Sequence, residues 1–158
     1  MKAKPKDHLE PTFKPATEKN ADTLIWLMCE LYKYDHTAFD PAAHRIALEN
    51  LLKSDAYGKV WLIELEQEVI GYVVLVFGYS LEFHGRDAII DELFIVEKYR
   101  RRGIGTRVLL FLEEVCRTND VRALHLEVEH ANTSAQAFYR KVGFTDHHRY
   151  LMTRLISD

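Results

Sequence analysis

Apolar positions along the chain follow first one period and then another. Across residues 17–35, Ala21, Leu24, Ile25, Met28 and Leu31 recur at spacings of three and four, which is one face of a helix. Thr17 stands where a cap is needed, so a helix is predicted from there to about Tyr34 or Asp35. Asp40 followed by Pro41 is a second start signal, a capping carboxylate with a first-turn proline, and predicts a helix to about Lys53. The segment GKVWLIELEQEVIGYVVLVFGYS then reads as two strands joined by a turn near Glu66 and Gln67. Its unbroken apolar run over residues 73–77 predicts a strand covered on both faces. A short extended stretch, TFKPA, precedes all of these.

Further on, DAIIDELFIV (residues 87–96) predicts another strand, and GTRVLLFLEEVCRTN predicts a helix burying Val108, Leu109, Leu112, Val115 and Cys116. The alternation of Leu124, Leu126 and Val128 in ALHLEVE predicts a strand. SAQAFYRKV predicts a helix capped by Asn132 or Thr133 and closed by Gly143, and a last strand is expected around HRYLMTR. The expected order is strand, two helices, three strands, helix, strand, helix, strand, a mixed α/β pattern.

A chain of 158 residues is long enough to bury a core without staples, and a single domain over 1–158 is expected. About residues 1–10, polar and proline-bearing, are expected to be flexible. The formal charge of -3 argues against broad adhesion to nucleic acid or anionic lipid. No run approaches the ~20 apolar residues of a membrane span, so a cytoplasmic protein with no membrane partner is expected. Cys29 and Cys116 lie in apolar helical patterns without CxxC spacing and are expected to be free thiols. The histidines show no ligand spacing, so no metal is expected.

Against that balanced background, VEKYRRRGIGTR gathers Arg100, Arg101, Arg102 and Arg107 around Gly103, Ile104 and Gly105, between a predicted strand and a predicted helix. A strand that turns through glycines into a helix leaves backbone N–H groups pointing outward, where the helix dipole is positive. That is a cradle for an anion, and glycines let a diphosphate approach the backbone. No Gly-Lys-Ser/Thr follows, which excludes the Walker pattern, and Val108 occupies the third position of the dinucleotide fingerprint. The pattern Arg/Gln-x-x-Gly-x-Gly/Ala is matched by Arg100, Gly103 and Gly105. One strand and one helix later stand Asn132, Ala135, Phe138, Tyr139, Gly143 and Phe144.

With these two spaced signatures the chain resembles the GNAT superfamily of N-acetyltransferases. In LMCELYKYD and DELFIVEKYRRRGIG it looks most like the spermidine/spermine and thialysine branch. The resemblance implies a GNAT-type α/β fold (α+β mixed), a central mixed, largely antiparallel sheet flanked by about four helices. It implies acetyl-CoA as co-substrate, bound by the backbone of Leu93, Phe94, Ile95 and Val96, by the loop from Arg100, Arg101 and Arg102 through Gly103, Ile104, Gly105 and Thr106, and by Asn132, Ala135 and Phe138. It also implies that Tyr139 protonates the departing thiolate, that the position of Asp91 carries the acid handling the amine, and that a homodimer forms.

The chemistry has its own demands. An alkylamine with a pKa near ~10.4 is mostly protonated at neutral pH, so a base must take its proton. Asp91 and Glu92 are the nearest candidates. In a regular strand they face opposite sides, and a bulge would change which one addresses the site. The resemblance implies that the first helices and the loop before the Asp91 strand line the acceptor pocket, where Glu30, Asp35, Asp40 and Glu82 could together hold a cation, with Tyr79, Phe83 and His84 as its apolar wall. The acceptor is expected to be a small amine of polyamine or amino-acid-like type. A protein or peptide amine, or a non-catalytic acyl-CoA-binding module, is the alternative. GYSLEFHGRD departs from the polyamine branch and leaves the acceptor open.

Overall fold

The computed structural model describes residues 10–156, so the expected flexible start lies almost wholly outside the described residues. Glu66 and Gln67 both take positive φ, 50° and 70°, the conformation that lets a two-residue turn follow the twist of its flanking strands. That turn joins β2 (Gly58–Leu65) to β3 (Glu68–Ser80), and β3 returns through residues 81–84 into β4 (Gly85–Ile95). With β1 (Thr12–Pro15) and β5 (Val121–Leu126) they form one five-stranded sheet in the order β1-β2-β3-β4-β5. Neighbours are antiparallel except β4 and β5, which run parallel and are connected by α3 (Ile104–Thr118).

Alternate residues of the central strands feed two cores. Val60, Leu62, Tyr72, Val74 and Phe94 face Leu24, Leu27 and Met28 of α1 (Ala21–Tyr34) and Leu48 of α2 (Pro41–Leu52). On the other face, Phe111 of α3 stacks on Phe13 at 4.3 Å and meets the edge of Trp61 at 5.2 Å, and Ile104, Val108, Leu109 and Leu112 are buried. Coverage on both faces explains the continuous apolar run of β3. The predicted cap at Asp40 forms, whereas α1 starts at Ala21 with Asn20, not Thr17, as its N-cap. Asp40 accepts from the N–H groups of Ala42 and Ala43 at 3.0 and 3.1 Å, while Thr17 donates its N–H to Asn20 and opens a short 3-10 turn, Glu18–Asn20, ahead of α1.

The chain divides after Glu127 into two compact units. The first holds the sheet with α1, α2 and α3. In the second, α4 (Thr133–Lys141) is capped by Asn132, whose Oδ1 accepts from Ala135 N–H at 3.1 Å. The strand expected around HRYLMTR does not form: residues 148–156 carry no strand or helix. A strand needs a neighbour to take its backbone hydrogen bonds, and no other strand exists among the described residues of this unit. The strand expected over residues 123–129 instead occupies Val121–Leu126, two residues earlier. No helix among the described residues is long and apolar enough to cross a membrane.

Candidate active site

The centre of the first unit is an irregularity in β4. Leu75 pairs with Ile90 and Val74 with Glu92, so Asp91 is an extra residue with no partner on β3. This bulge breaks the alternation that would have sent Asp91 and Glu92 to opposite faces. Glu92 turns toward α1, where its Oε1 accepts the Tyr32 hydroxyl at 3.0 Å and its Oε2 accepts the Tyr72 hydroxyl at 2.8 Å. Asp91 is exposed, yet its charge reaches Tyr32, Tyr72 and Glu92.

Burial raises both carboxyls above the usual carboxylate range. For Glu92 the two phenol bonds and the nearby His44 oppose that rise, while the charge of Asp91 adds to it. Burial and Glu92 push the hydroxyls of Tyr32 and Tyr72 well above the ordinary phenol value, so both keep their protons. The result is an acceptor-only carboxylate gripped by two donors, beside a second carboxylate at the tip of the bulge.

The bulge also marks where β4 and β5 part. Their ladder ends at Ile90 with Leu126, so beyond it Leu93, Phe94 and Ile95 have no strand beside them on that edge among the described residues. Val96 donates its N–H back to Ile70 at 2.8 Å, and a 3-10 turn, Glu97–Tyr99, leads into the arginine loop. Glu68 pins that turn by accepting from Lys98 at 2.9 Å and from the Tyr99 hydroxyl at 2.6 Å.

Arg100 does not face outward. Its Nε donates to the Ile95 carbonyl at 2.6 Å, and its guanidinium lies over Tyr34 at 4.4 Å and Phe94 at 5.3 Å, so it fastens the loop to the strand. Arg101 and Arg102 are exposed, and Arg107 is paired with Glu10. Gly103 takes φ 81° as the N-cap of α3, and no side chain caps that helix. A Cβ at Gly103 would meet nothing within 4 Å. The first-turn amides of Ile104, Gly105 and Thr106 are thus without a capping side chain, and Ile104 anchors the turn in the core.

The remaining candidates fall into separate places. Asp40 is committed to capping α2, Glu30 pairs with Lys33 at 2.7 Å, and Asp35 ends α1 with its charge felt at Tyr32. Glu82, Tyr79 and His84 belong to the β3–β4 end, roughly 20 Å along the strand from the bulge at ~3.4 Å per residue. Phe83 at that end packs against His125, 5.0 Å between rings, and His125 in turn lies 3.5 Å from Asp87.

In the second unit Tyr139 is half-buried between Phe138 at 5.3 Å and Phe144 at 5.7 Å, and burial raises its hydroxyl above the ordinary phenol value. Ala135 and Phe138 are half-buried on the same helix. Cys29 and Cys116 are free thiols, and no group of three or more His, Cys, Asp or Glu able to hold a metal occurs among the described residues.

A family profile described as "Acetyltransferase (GNAT) family" matches residues 21–144, most of the chain and both signatures. The chain belongs to the GNAT acetyltransferase family. Members of this family carry out acetyl-CoA-dependent N-acetyl transfer, and this chain is such an acetyltransferase. It is 25% identical over 147 residues to thialysine N-epsilon-acetyltransferase of Mus musculus, covering 84% of this chain and 83% of the relative. It is 27% identical to aminoalkylphosphonate N-acetyltransferase of Salmonella typhimurium over 84% of each chain. With the uncharacterized N-acetyltransferase YhfO of Bacillus subtilis it shares 29% identity over 55% of this chain and spans 58% of that protein. Among solved structures, an integron cassette protein from the mobile metagenome of Cole Harbour Salt Marsh superimposes with TM-score 0.81 at 28% identity over 92% of this chain and 91% of that one. The mixed sheet and four helices described above are therefore the GNAT fold.

Proposed function

We propose that this acetyltransferase acts on the primary amine of a small cationic molecule, of polyamine or amino-acid-like type, by direct transfer without a covalent enzyme intermediate. The observation that carries the reading is the bulge at Asp91. It sets two carboxyls of raised pKa at the point where β4 leaves β5, and the glycine-capped start of α3 follows on the same stretch of chain. A base for an ammonium group and a cradle for a diphosphate are the two things the reaction needs.

In this reading the amides of Ile104, Gly105 and Thr106 bind the diphosphate of CoA, aided by Arg101 and Arg102, while Arg100 keeps the loop in place. Leu93, Phe94, Ile95 and Val96 offer backbone groups to the pantetheine arm, and Asn132, Ala135 and Phe138 contribute from the second signature. Asp91 or Glu92 takes a proton from the ammonium group. The nitrogen then attacks the thioester carbon, the new C–N bond replaces the C–S bond, the thiolate takes the proton of the Tyr139 hydroxyl, and the extra proton of the acylated nitrogen passes through water to restore the phenol. A phenol whose pKa burial raises is protonated at neutral pH and suits that role. Glu30 and Asp35, near the end of α1, attract the cationic part of the acceptor. The mouse and Salmonella relatives are named for thialysine and aminoalkylphosphonates, both small amines, which supports the substrate class. Two free thiols fit a reducing cytoplasm, and a homodimer is part of the same proposal.

The test is release of thiol from acetyl-CoA with a panel holding spermidine, thialysine, an aminoalkylphosphonate and a lysine peptide. Turnover highest with one of the small amines is expected. Preference for the peptide would move the enzyme to protein acetylation, and calorimetric binding of acetyl-CoA without any turnover would make the chain an acyl-CoA sensor. Tyr139→Phe should lower kcat by about 100-fold or more while leaving the Kd for acetyl-CoA within about two-fold. Equal loss in both would remove the proposed acid.

A further inference from the structure

Resting on the reading that Asp91 and Glu92 serve amine acetylation, we infer that they divide the work. Glu92 is the centre of a Tyr32–Glu92–Tyr72 bracket that fixes the bulge, and Asp91 alone takes the proton. Tyr32 and Tyr72 are then positioning residues for Asp91.

The argument begins with what each carboxyl already holds. Both oxygens of Glu92 accept a phenol, one from α1 and one from β3, so the residue is tied to an element on either side of its strand. Neither donor is loose. Tyr72 is completely buried, and the Tyr32 ring is set between Phe39 at 5.3 Å and the edge of His44 at 4.8 Å. The His44 ring is itself held 2.7 Å from the Asp40 carbonyl by its Nδ1. A chain of contacts therefore runs from the cap of α2 through His44 and Tyr32 to Glu92.

A proton arriving on Glu92 would remove the charge that strengthens both phenol bonds, so the bracket would weaken at the moment of transfer. Asp91 has no such commitment. It makes no side-chain hydrogen bond among the described residues, it is exposed, and as the extra residue of the bulge it has no cross-strand partner. Its carboxylate can take the proton of R–NH3+, leaving the neutral amine to attack, and can then release that proton to water. The titratable groups around Glu92 are Tyr32 of α1, His44 of α2, Tyr72 of β3 and Asp91 of β4. Tyr72 is buried, Tyr32 and His44 are half-buried and held by their ring contacts, and Asp91 is the exposed member of the group.

The experiment measures kcat and KM against pH for the wild type and for Asp91→Asn, Glu92→Gln, Tyr72→Phe and Tyr32→Phe, using the fastest amine of the panel. Loss of the base should lower kcat/KM in Asp91→Asn by about 100-fold to 10,000-fold. Glu92→Gln should cost about ten-fold through misplacement of Asp91. It should also move the acid limb of the profile to lower pH, because a negative charge beside Asp91 is gone. Each tyrosine variant should lower kcat with the KM for acetyl-CoA unchanged, and thermal melting confirms that they fold, Tyr32→Phe being the milder change.

If Glu92→Gln is as inactive as Asp91→Asn and its acid limb vanishes, Glu92 is the base and the inference is overturned. Rates and limbs unchanged in Glu92→Gln and Tyr32→Phe would overturn it from the other side. Carbon-13 NMR of the side-chain carboxyls decides the matter without turnover. Glu92→Gln should lower the titration midpoint of Asp91, and Tyr72→Phe should raise that of Glu92; static midpoints refute the bracket. Failure of the wild type on every amine, with those midpoints moving as expected, would instead fault the proposed function and leave the bracket standing.

Discussion

Asp91 illustrates what a reactive carboxylate does to stability. Although Asp91 is exposed, the protein packed around its carboxyl removes part of its solvent and raises its pKa, so the folded chain binds its proton more tightly than the unfolded chain does. Stability from this group is present below the ordinary carboxylate value and is lost as pH rises through the raised one. At neutral pH the wild type therefore carries a cost that an uncharged side chain removes. Asp91→Asn should melt at a higher temperature than the wild type at pH 7, and the difference should vanish below about pH 4, near the unperturbed Asp value. Melts at the two pH values check it, and a variant less stable than wild type at pH 7 would show that Asp91 is held by interactions with its charge. The two carboxyls themselves were legible as a pair of acids on a strand before a glycine loop. Their relation was not, because it depends on a bulge defined only by pairing with β3. Tyr32 and Tyr72, which hold Glu92, escaped notice altogether. Each fits an apolar helix or strand pattern, and they sit 60 and 20 residues away from the partner that gives them a role.

At the level of elements, local signals were reliable where local physics decides. The Asp40-Pro41 start, the turn at Glu66 and Gln67, the cap at Asn132 and the glycine entry to α3 are all chosen by residues within a few positions of the feature. Gly103 and Gly105 divide that last task differently. Gly103 carries the left-handed φ, and a Cβ there would meet no atom, so Gly103→Ala should cost about 1 kcal/mol of purely conformational origin. Gly105 is already helical, so a valine there adds no strain in φ while placing a branched side chain in the first turn of α3. Gly105→Val should therefore weaken acetyl-CoA binding by at least about ten-fold, with a melting temperature close to wild type. Calorimetry and thermal melting separate the two. If Gly105→Val binds acetyl-CoA normally, the start of α3 is not the diphosphate site. The role of Arg100 was less legible, since three consecutive arginines look alike in sequence. Only the carbonyl of Ile95 and the rings of Tyr34 and Phe94 single out the first as a fastener.

For the whole molecule, the segment that failed to become a strand is the most informative. Residues 148–156 hold Tyr150, Leu151, Met152, Leu155 and Ile156, all largely exposed, with Tyr150 and Met152 at 90%. Apolar content of this density fits a paired strand and is out of place in solvent. No strand ladder engages it within the second unit among the described residues, so the segment presents exposed apolar side chains and backbone open to pairing with a strand. A second copy of the same chain supplies matching groups at no cost in new sequence, and closed two-fold pairing is the commonest way for chains to meet that need. The proposed homodimer should then sediment at twice the 18.5 kDa chain mass. Replacing Met152 and Leu155 together with lysine should return it to the single mass, because charged side chains oppose burial in a strand interface. Acetyl-CoA affinity measured on the same samples shows whether assembly and cofactor binding are separable. A wild type that sediments at the single mass, or a double variant that still pairs, would mean that these exposed side chains do not hold two copies together.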